Sequence, residues 1–201
     1  MADSPQVRVI LRPVGTPLTV GMSGLAVGSF VQSGLDLGWM GNAQGAAVGL
    51  ILMSVPFVLQ LLACVFSYLA RDGATGATLG LLATTWLSLG VVRLAYPTAS
   101  TSPALGLLLI ATGTMLALSA AAMASAKPLP AGVFAAAAVR FVLAAIYELS
   151  AVGVWRDVAG LLGLVISAVA AYCVLAFELE DQGHRPVSPR RKRAAAAGGR
   201  G

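Results

Sequence analysis

The sequence predicts an all-α integral membrane protein, folded as a bundle of six transmembrane helices. Apolar residues make up 58% of the 201 residues, charged residues make up 10%, and the mean hydropathy is +0.85. A soluble globular domain carries about 25% charged residues, so this composition excludes that class. Long stretches such as "GLLLIATGTMLALSAAAMA" do not alternate polar with apolar residues, as membrane β-strands would. The fold is therefore expected to be helical throughout.

Six apolar runs are long enough to cross a membrane, because a helical span needs roughly 20 mostly apolar residues. They lie near residues 17–35, 43–69, 75–94, 103–126, 131–153 and 158–177. Short segments that are rich in turn-forming or charged residues, such as "ARDGATG" and "YPTASTSP", separate them. No inserted soluble domain is expected. The chain should divide into a cytoplasmic amino-terminal segment (1–16), a transmembrane domain (17–178) and a disordered basic cytoplasmic tail (179–201).

The placement of positive charge predicts the orientation in the membrane, because arginine and lysine accumulate in cytoplasmic loops. Most of them would lie on one side of a six-span bundle: Arg8, Arg12, Arg71, Lys127 and the run "RRKR" at 190–193. The loop after the first span, on the other side, contains Asp36. We therefore expect a multi-pass protein of the plasma membrane with both termini in the cytoplasm.

The basic tail supplies much of the net charge of +5. It lacks an apolar period and contains His184, so the only histidine of the chain is not expected at membrane depth. We interpret the tail as a topology determinant that contacts anionic lipid, where each cation contributes about 1 kcal/mol, and not as a nucleic-acid binding element. No nucleophile with its base, metal-ligand spacing or phosphate-binding loop is visible in the sequence. Neither enzymatic activity nor a cofactor or metal site is expected.

Glycines recur four residues apart in three spans, a spacing that lets helices approach closely. The rows are Gly24 and Gly28, then Gly41, Gly45 and Gly49, then Gly76 and Gly80. They predict a tightly packed bundle.

Three stretches of the sequence carry a resemblance to a known family. "RPVGTPLTVGMSGLAVGSF" places Pro17 and Leu18 before a glycine-rich first span. "PFVLQLLACVFSYLARDGATGATLGLLATTWLSLG" has Gln60 in the second span and a third span that ends in Trp-Leu-Ser, and "DVAGLLGLVISAVAAYCVLAFELED" ends in an acidic Glu-Leu-Glu pattern. Together, over residues 12–182, they resemble the acetate uptake transporter family, six-span carriers of acetate and succinate.

The resemblance implies uptake of a small monocarboxylate or dicarboxylate, with a proton as candidate coupling ion, by a homohexamer with one pore per subunit. The family signature NPAPLGL is altered here, and only Pro17 and Leu18 match it strictly, so the resemblance implies that these two belong to the substrate-binding or pore residues. Ser23 and Leu82 or Ala83 stand where the family has aromatic residues that narrow its pore. The resemblance therefore implies a constriction that differs from that of the family.

Two ionisable residues, Arg140 and Glu148, lie inside the fifth span. An arginine at the centre of a membrane helix costs roughly 2.5–3.5 kcal/mol, so it is usually functional or paired. Glu148 is about 12 Å further along the helix and about 80° around it, so the two side chains do not meet within one straight helix. In one interpretation Arg140 contacts the carboxylate of a substrate and Glu148 is a gate or a proton-titrating group. In the other, Arg140 bonds to carbonyls or hydroxyls of a neighbouring span and Glu148 lies in the outer vestibule or near Arg156.

Four further polar residues at membrane depth are candidates for the pore lining. Gln60 is the polar residue in the middle of the second span, where a buried amide also joins helices. Thr84, Thr85 and Ser88 either line a polar path through the third span or bond to the backbone of their own helix.

The leading hypothesis is a transporter or channel for small carboxylates. The competing hypothesis is a membrane scaffold or sensor that does not transport and whose basic tail binds lipid or a partner. A channel for a small neutral solute is a third hypothesis.

Overall fold

The computed structural model describes residues 15–96 and 101–181, and every regular element in these ranges is helical. The elements are α1 (Pro17–Asp36), a 3₁₀ turn (Asn42–Gln44), α2 (Gly45–Ser54), α3 (Pro56–Leu69), α4 (Gly73–Ala95), α5 (Pro103–Met123), α6 (Pro128–Ser150) and α7 (Gly153–Asp181). Helices α2 and α3 together form one span, so that six spans are long and apolar enough to cross a membrane. The predicted fold class is confirmed.

A proline divides the second span. Pro56 is the first residue of α3, and Val55 before it has a ψ of −73°, a helical value, although the residue before a proline normally avoids that region. A proline inside a helix also lacks the N–H for the backbone hydrogen bond to the preceding turn. The second span therefore kinks at this point.

The start of the first helix and the end of the last helix lie side by side. The hydroxyl of Thr16, just before α1, donates a hydrogen bond to Asp181 Oδ1 at the end of α7, over 3.5 Å. We call this the terminal end of the bundle; at the opposite, far end, α1, α4 and α6 finish while α5 and α7 begin. Residues 1–14 and 182–201, which include most of the predicted amino-terminal segment and basic tail, lie outside the described residues.

The main helix contacts bring α1 into the middle of the structure. Helix α1 packs against α7 and α3, α6 lies between α5 and α7, and α4 packs against α2 and α3. Two thirds of α1 is buried inside the chain, a larger share than for any other span. Side chains of α1 are therefore well placed to meet those of α3 and α7.

Helix α1 continues through Asp36, which corrects the expectation that this residue belongs to a loop. The Asp36 side chain is buried, with the whole residue 8% exposed. The chain leaves the helix only at Leu37, where Gly38 adopts a φ of +72°. The apolar run alone placed the end of the span too early, because an acidic residue was taken to mark the loop.

The glycine rows hold helices together at most of the predicted positions. A Cβ at Gly28 would lie 2.9 Å from Pro56, and one at Gly49 would lie 2.8 Å from the carbonyl oxygen of Gly90. The expectation is wrong for Gly41 and Gly45, where a Cβ would meet nothing within 4 Å in the described chain. Glycines therefore allow close approach between α1 and α3 and between α2 and α4. Within α2 the close approach involves Gly49 and not the first residue, Gly45.

A polar contact ties two loops together at the terminal end. Lys127 donates hydrogen bonds to the Asp72 carboxylate and, over 2.8 Å, to the Thr75 hydroxyl. Asp72 also caps α4 by accepting from Thr75 N. Partial burial acts to raise the pKa of Asp72, but the hydrogen bonds from Lys127 and Thr75 outweigh it, so this pKa lies below the usual value. The carboxylate is therefore charged at neutral pH, and its contribution to stability is lost only when the pH falls through that lowered pKa.

Candidate functional site

A cavity of about 500 Å³ occupies the far half of the bundle, between α1, α4, α5, α6 and the start of α7. Its lining includes three arginines and two carboxylates, namely Arg93, Arg140, Arg156, Asp36 and Glu148. With all five groups ionised, the lining has one more positive than negative charge. Pockets of 300–1,000 Å³ with a few converging polar groups are typical of small-ligand sites.

The deepest charge in the cavity is neutralised within the protein. Arg140, on α6, is 3% exposed and its Nη2 lies 3.2 Å from Asp36 Oδ2, on α1. The other carboxylate oxygen of Asp36 accepts a hydrogen bond from Gln32 Nε2 over 2.6 Å. An ion pair of this kind is stable at depth only if hydrogen bonds satisfy its remaining atoms. Both interpretations of Arg140 left this partner out, because Asp36 was placed in a loop.

Helix α7 leaves room for the arginine by having a glycine beside it. A Cβ at Gly163 would come within 2.5 Å of Arg140 Nε and would collide with the hydroxyl of Ser33, on α1. Neither Arg140 Nε nor Ser33 Oγ has a hydrogen-bond partner among the described residues. The guanidinium is therefore confined by contact with the α7 backbone on one side and by Asp36 on the other.

Glu148 makes a different contact at the far end of the cavity. Its Oε2 accepts a hydrogen bond of 2.6 Å from the backbone N–H of Ser102, the residue that caps α5. This contact joins the end of α6 to the start of α5. Glu148 and Arg156 line the same cavity.

An apolar layer lies between the cavity and the terminal end. Phe141 belongs both to the cavity lining and to this layer, and its ring centroid is 6.1 Å from that of Trp86. The large side chains of the layer are all at most 2% exposed: Met22, Leu25, Leu79, Leu82, Trp86, Phe134 and Phe141. A second pocket, of about 420 Å³, lies at the terminal end. These side chains therefore fill the interior between the two pockets with apolar groups.

Several residues predicted to line a pore lie elsewhere in the bundle. Gln60 is fully buried and donates to the backbone carbonyl of Gly21 over 3.3 Å, so it joins α3 to α1. Thr85 lies 3.1 Å from the hydroxyl of Thr112 on α5 and also bonds to its own helix. Thr84 and Ser88 are on the outer side of α4 and donate to carbonyls of their own helix, the second of the two arrangements expected for them.

The two signature residues lie at the terminal end, away from the cavity. Pro17 begins α1 and lines the second pocket together with Glu178 and Asp181. Leu18 is 5% exposed and belongs to the core. Among the predicted site residues, only Arg140 and Glu148 share the far cavity.

Sequence reasoning missed Asp36, Gln32 and Arg93 as members of this site. One signal was available for Asp36, because an acidic residue directly after an apolar run is a candidate partner for a buried arginine in another span. Gln32 lies one helical turn before Asp36, a spacing at which side chains on a helix meet.

Comparison with solved structures finds a similar chain, described as the structure of the bacterial acetate channel SatP. The TM-score is 0.78 at 19% sequence identity, and the match covers 88% of this chain and 98% of that one. No protein-family model and no curated protein sequence matches the chain. The six-span fold expected from the resemblance to acetate uptake transporters is therefore confirmed.

Proposed function

We propose that this protein is a membrane channel or transporter for small carboxylates. The observation that carries the proposal is the arginine-lined cavity at the far end of the bundle, in the fold of an acetate channel. A guanidinium donates paired hydrogen bonds that match the two oxygens of a carboxylate, so a cavity lined by arginines suits this class of solute. A neutral solute has no need of the excess positive charge.

The cavity volume favours more than one carboxylate. At about 500 Å³ it exceeds what acetate alone requires, so succinate and lactate are included in the proposed substrate class. Residues of the apolar layer replace the pore aromatics that the resemblance implies, with Trp86 and Phe141 as the large aromatic pair at that level. In this proposal the solute enters at the far end, rests beside the arginines and crosses when the layer opens.

The proposal includes the orientation of the protein in the membrane and its oligomeric state. The termini are in the cytoplasm, the far cavity opens to the outside of the plasma membrane, and the subunits form a homo-oligomer, a hexamer if it follows the family it resembles. Glu148 at the mouth is the candidate gate or proton-titrating group. Side-specific labelling of a cysteine introduced at Ser188 tests the orientation, and the mass of the purified particle tests the assembly.

Uptake into proteoliposomes tests the function. Purified protein is reconstituted and supplied with labelled acetate, succinate or lactate, and protein-free liposomes measure passive entry. We expect saturable entry above the passive rate for at least one of the three, and competition by the same unlabelled acid. Uptake that does not exceed the passive rate for any of them, by protein that remains folded after reconstitution, would contradict the proposal and favour the scaffold or sensor.

A further inference from the structure

The far end of the bundle as a whole has as many acidic as basic side chains, although one of the acids, Asp157, does not line the cavity. The sequence has eight acidic residues, and three of them, Asp36, Glu148 and Asp157, lie at this end. Four others lie at the terminal end: Asp72, Glu178, Glu180 and Asp181. The eighth, Asp3, lies outside the described residues. Three arginines face the three acids at the far end, so each arginine could in principle have its own partner.

Only two of these arginines form an ion pair within the described residues. Arg140 binds Asp36 at 3.2 Å, and Arg156 lies 3.6 Å from Asp157 while its guanidinium also stands over the ring of Tyr147. The third acid, Glu148, is turned to the backbone N–H of Ser102. Arg93 therefore lacks an acidic partner in the part of the chain that the structure describes.

The sequence near Arg93 offers no other acid. Residues 97–100, which follow α4 and are not described, are Pro, Thr, Ala and Ser. The Nε of Arg93 is buried without an acceptor among the described residues. Arg93 lines the same cavity as Asp36, Arg140 and Glu148. Among the described residues it is thus a cation without a counter-ion, beside charged groups that already have partners.

The position of Arg93 makes it accessible from the cavity. It lies in the last turn of α4, where the helix dipole favours a cation. It lines the cavity beside Tyr96, which is 64% exposed, so this part of the lining reaches the surface. A carboxylate that enters from the far end meets Arg93 without having to displace a protein carboxylate, whereas at Arg140 it would compete with Asp36.

We propose that Arg93 is the residue that binds the substrate carboxylate at the mouth of the cavity. The inference rests on the proposed function and adds to it the residue that makes the first contact. Arg140, held by Asp36 and confined by Gly163, then shapes the deeper part of the cavity. Glu148, held by Ser102, leaves Arg93 free for the incoming anion.

Substitution of Arg93 tests the proposal through the concentration dependence of uptake. Because a hydrogen bond to a charged group is worth more than one between neutral groups, Arg93→Gln should raise the KM for acetate at least about tenfold. Arg93→Lys should recover part of that loss, since it keeps the charge but not the paired donors. Arg71→Gln removes a positive charge from the loop at the terminal end and should leave the KM unchanged.

A comparison of two arginines of the cavity distinguishes direct contact between Arg93 and the substrate from a general attraction of the anion by positive charge. Arg156→Gln removes the same charge from a residue that already has a partner, so it should raise the KM less than Arg93→Gln does. An equal rise in both variants, or a KM for Arg93→Gln within about twofold of the wild type while the protein stays folded, would overturn the proposal.

A binding measurement keeps this result distinct from failure of the transport proposal. The Tm of the detergent-solubilised protein is measured in sodium acetate and in acetamide at the same ionic strength, because a ligand that binds the folded state raises the Tm. We expect acetate to raise the Tm of the wild type and of Arg71→Gln but not of Arg93→Gln. If wild-type protein fails to transport yet shows this pattern, Arg93 still binds carboxylate. An acetate effect that survives in Arg93→Gln, or that is missing from the wild type, contradicts the role of Arg93.

Discussion

Asp36→Asn is expected to lower the free energy of unfolding by about 3–5 kcal/mol, because it leaves the Arg140 guanidinium buried without its counter-charge. The loss should appear as a marked fall in the Tm of the detergent-solubilised protein. Arg140→Gln should be destabilising for the same reason, since Asp36 then loses its charged partner. If Arg140 had no buried partner, its removal would lower the cost of insertion and leave the Tm unchanged or raised. The paired and unpaired arrangements therefore predict different Tm values for Arg140→Gln.

A matched pair and a double variant isolate the buried contact. Asp157→Asn breaks the ion pair between Asp157 and Arg156, in which the Arg156 side chain is 34% exposed and that of Asp157 is 55% exposed. Loss of such an exposed pair should lower the free energy of unfolding by no more than about 1 kcal/mol. The double variant Asp36→Leu with Arg140→Met should recover most of the stability lost by either single change, because apolar groups often replace a buried ion pair without penalty. Equal Tm values for Asp36→Asn and Asp157→Asn would show that the pair does not hold α1 to α6.

Gly163→Leu is expected to be the second most damaging change. The new side chain must occupy space taken by Arg140 and Ser33, and the Cβ alone would come within 2.5 Å of Arg140 Nε. Overpacking of a filled interior costs about 1–3 kcal/mol, to which disturbance of the Arg140 and Asp36 pair is added. We therefore expect a lower Tm together with impaired carboxylate uptake.

Gly132→Leu is the control for this substitution. Gly132 is exposed on α6, and a Cβ there would meet nothing within 4 Å of the described chain. Leucine is well tolerated on a lipid-facing helix surface, so the Tm of this variant should stay near that of the wild type. If Gly163→Leu behaves like Gly132→Leu, the guanidinium is not confined by α7.

The span count could be predicted from sequence because the membrane imposes one strong rule. Backbone groups in lipid must be satisfied within the segment, so each crossing needs an apolar helix of near-fixed length, and this length is visible in the sequence. The break at Pro56 follows from the missing N–H of proline, another local property. The number and order of the helices could therefore be predicted from the local sequence of each segment.

The site could be predicted only in part, because its contacts join distant segments. Arg140 stands out in an apolar span, but its partner Asp36 lies 104 residues earlier, at a position where a helix end and a loop look alike. Thr84 and Ser88 are hydroxyl residues in an apolar span, as pore-lining residues often are. Their hydroxyls nevertheless bond to their own helix on its outer side. Which face of a helix points inward depends on packing against the other helices. Because the spans are apolar on every side, their weak amphipathicity does not show which face that is.

The permeability of the reconstituted protein to acetate relative to acetamide tests the central claim most directly. The two solutes have nearly the same size and shape and differ in charge at neutral pH, and protein-free liposomes correct both for passive entry. If the arginine-lined cavity selects carboxylates, the protein-dependent rate should be clearly higher for acetate, and Arg93→Gln should reduce that preference. Equal protein-dependent rates for the two solutes, or a higher rate for acetamide, would contradict the account and indicate a channel for neutral solutes.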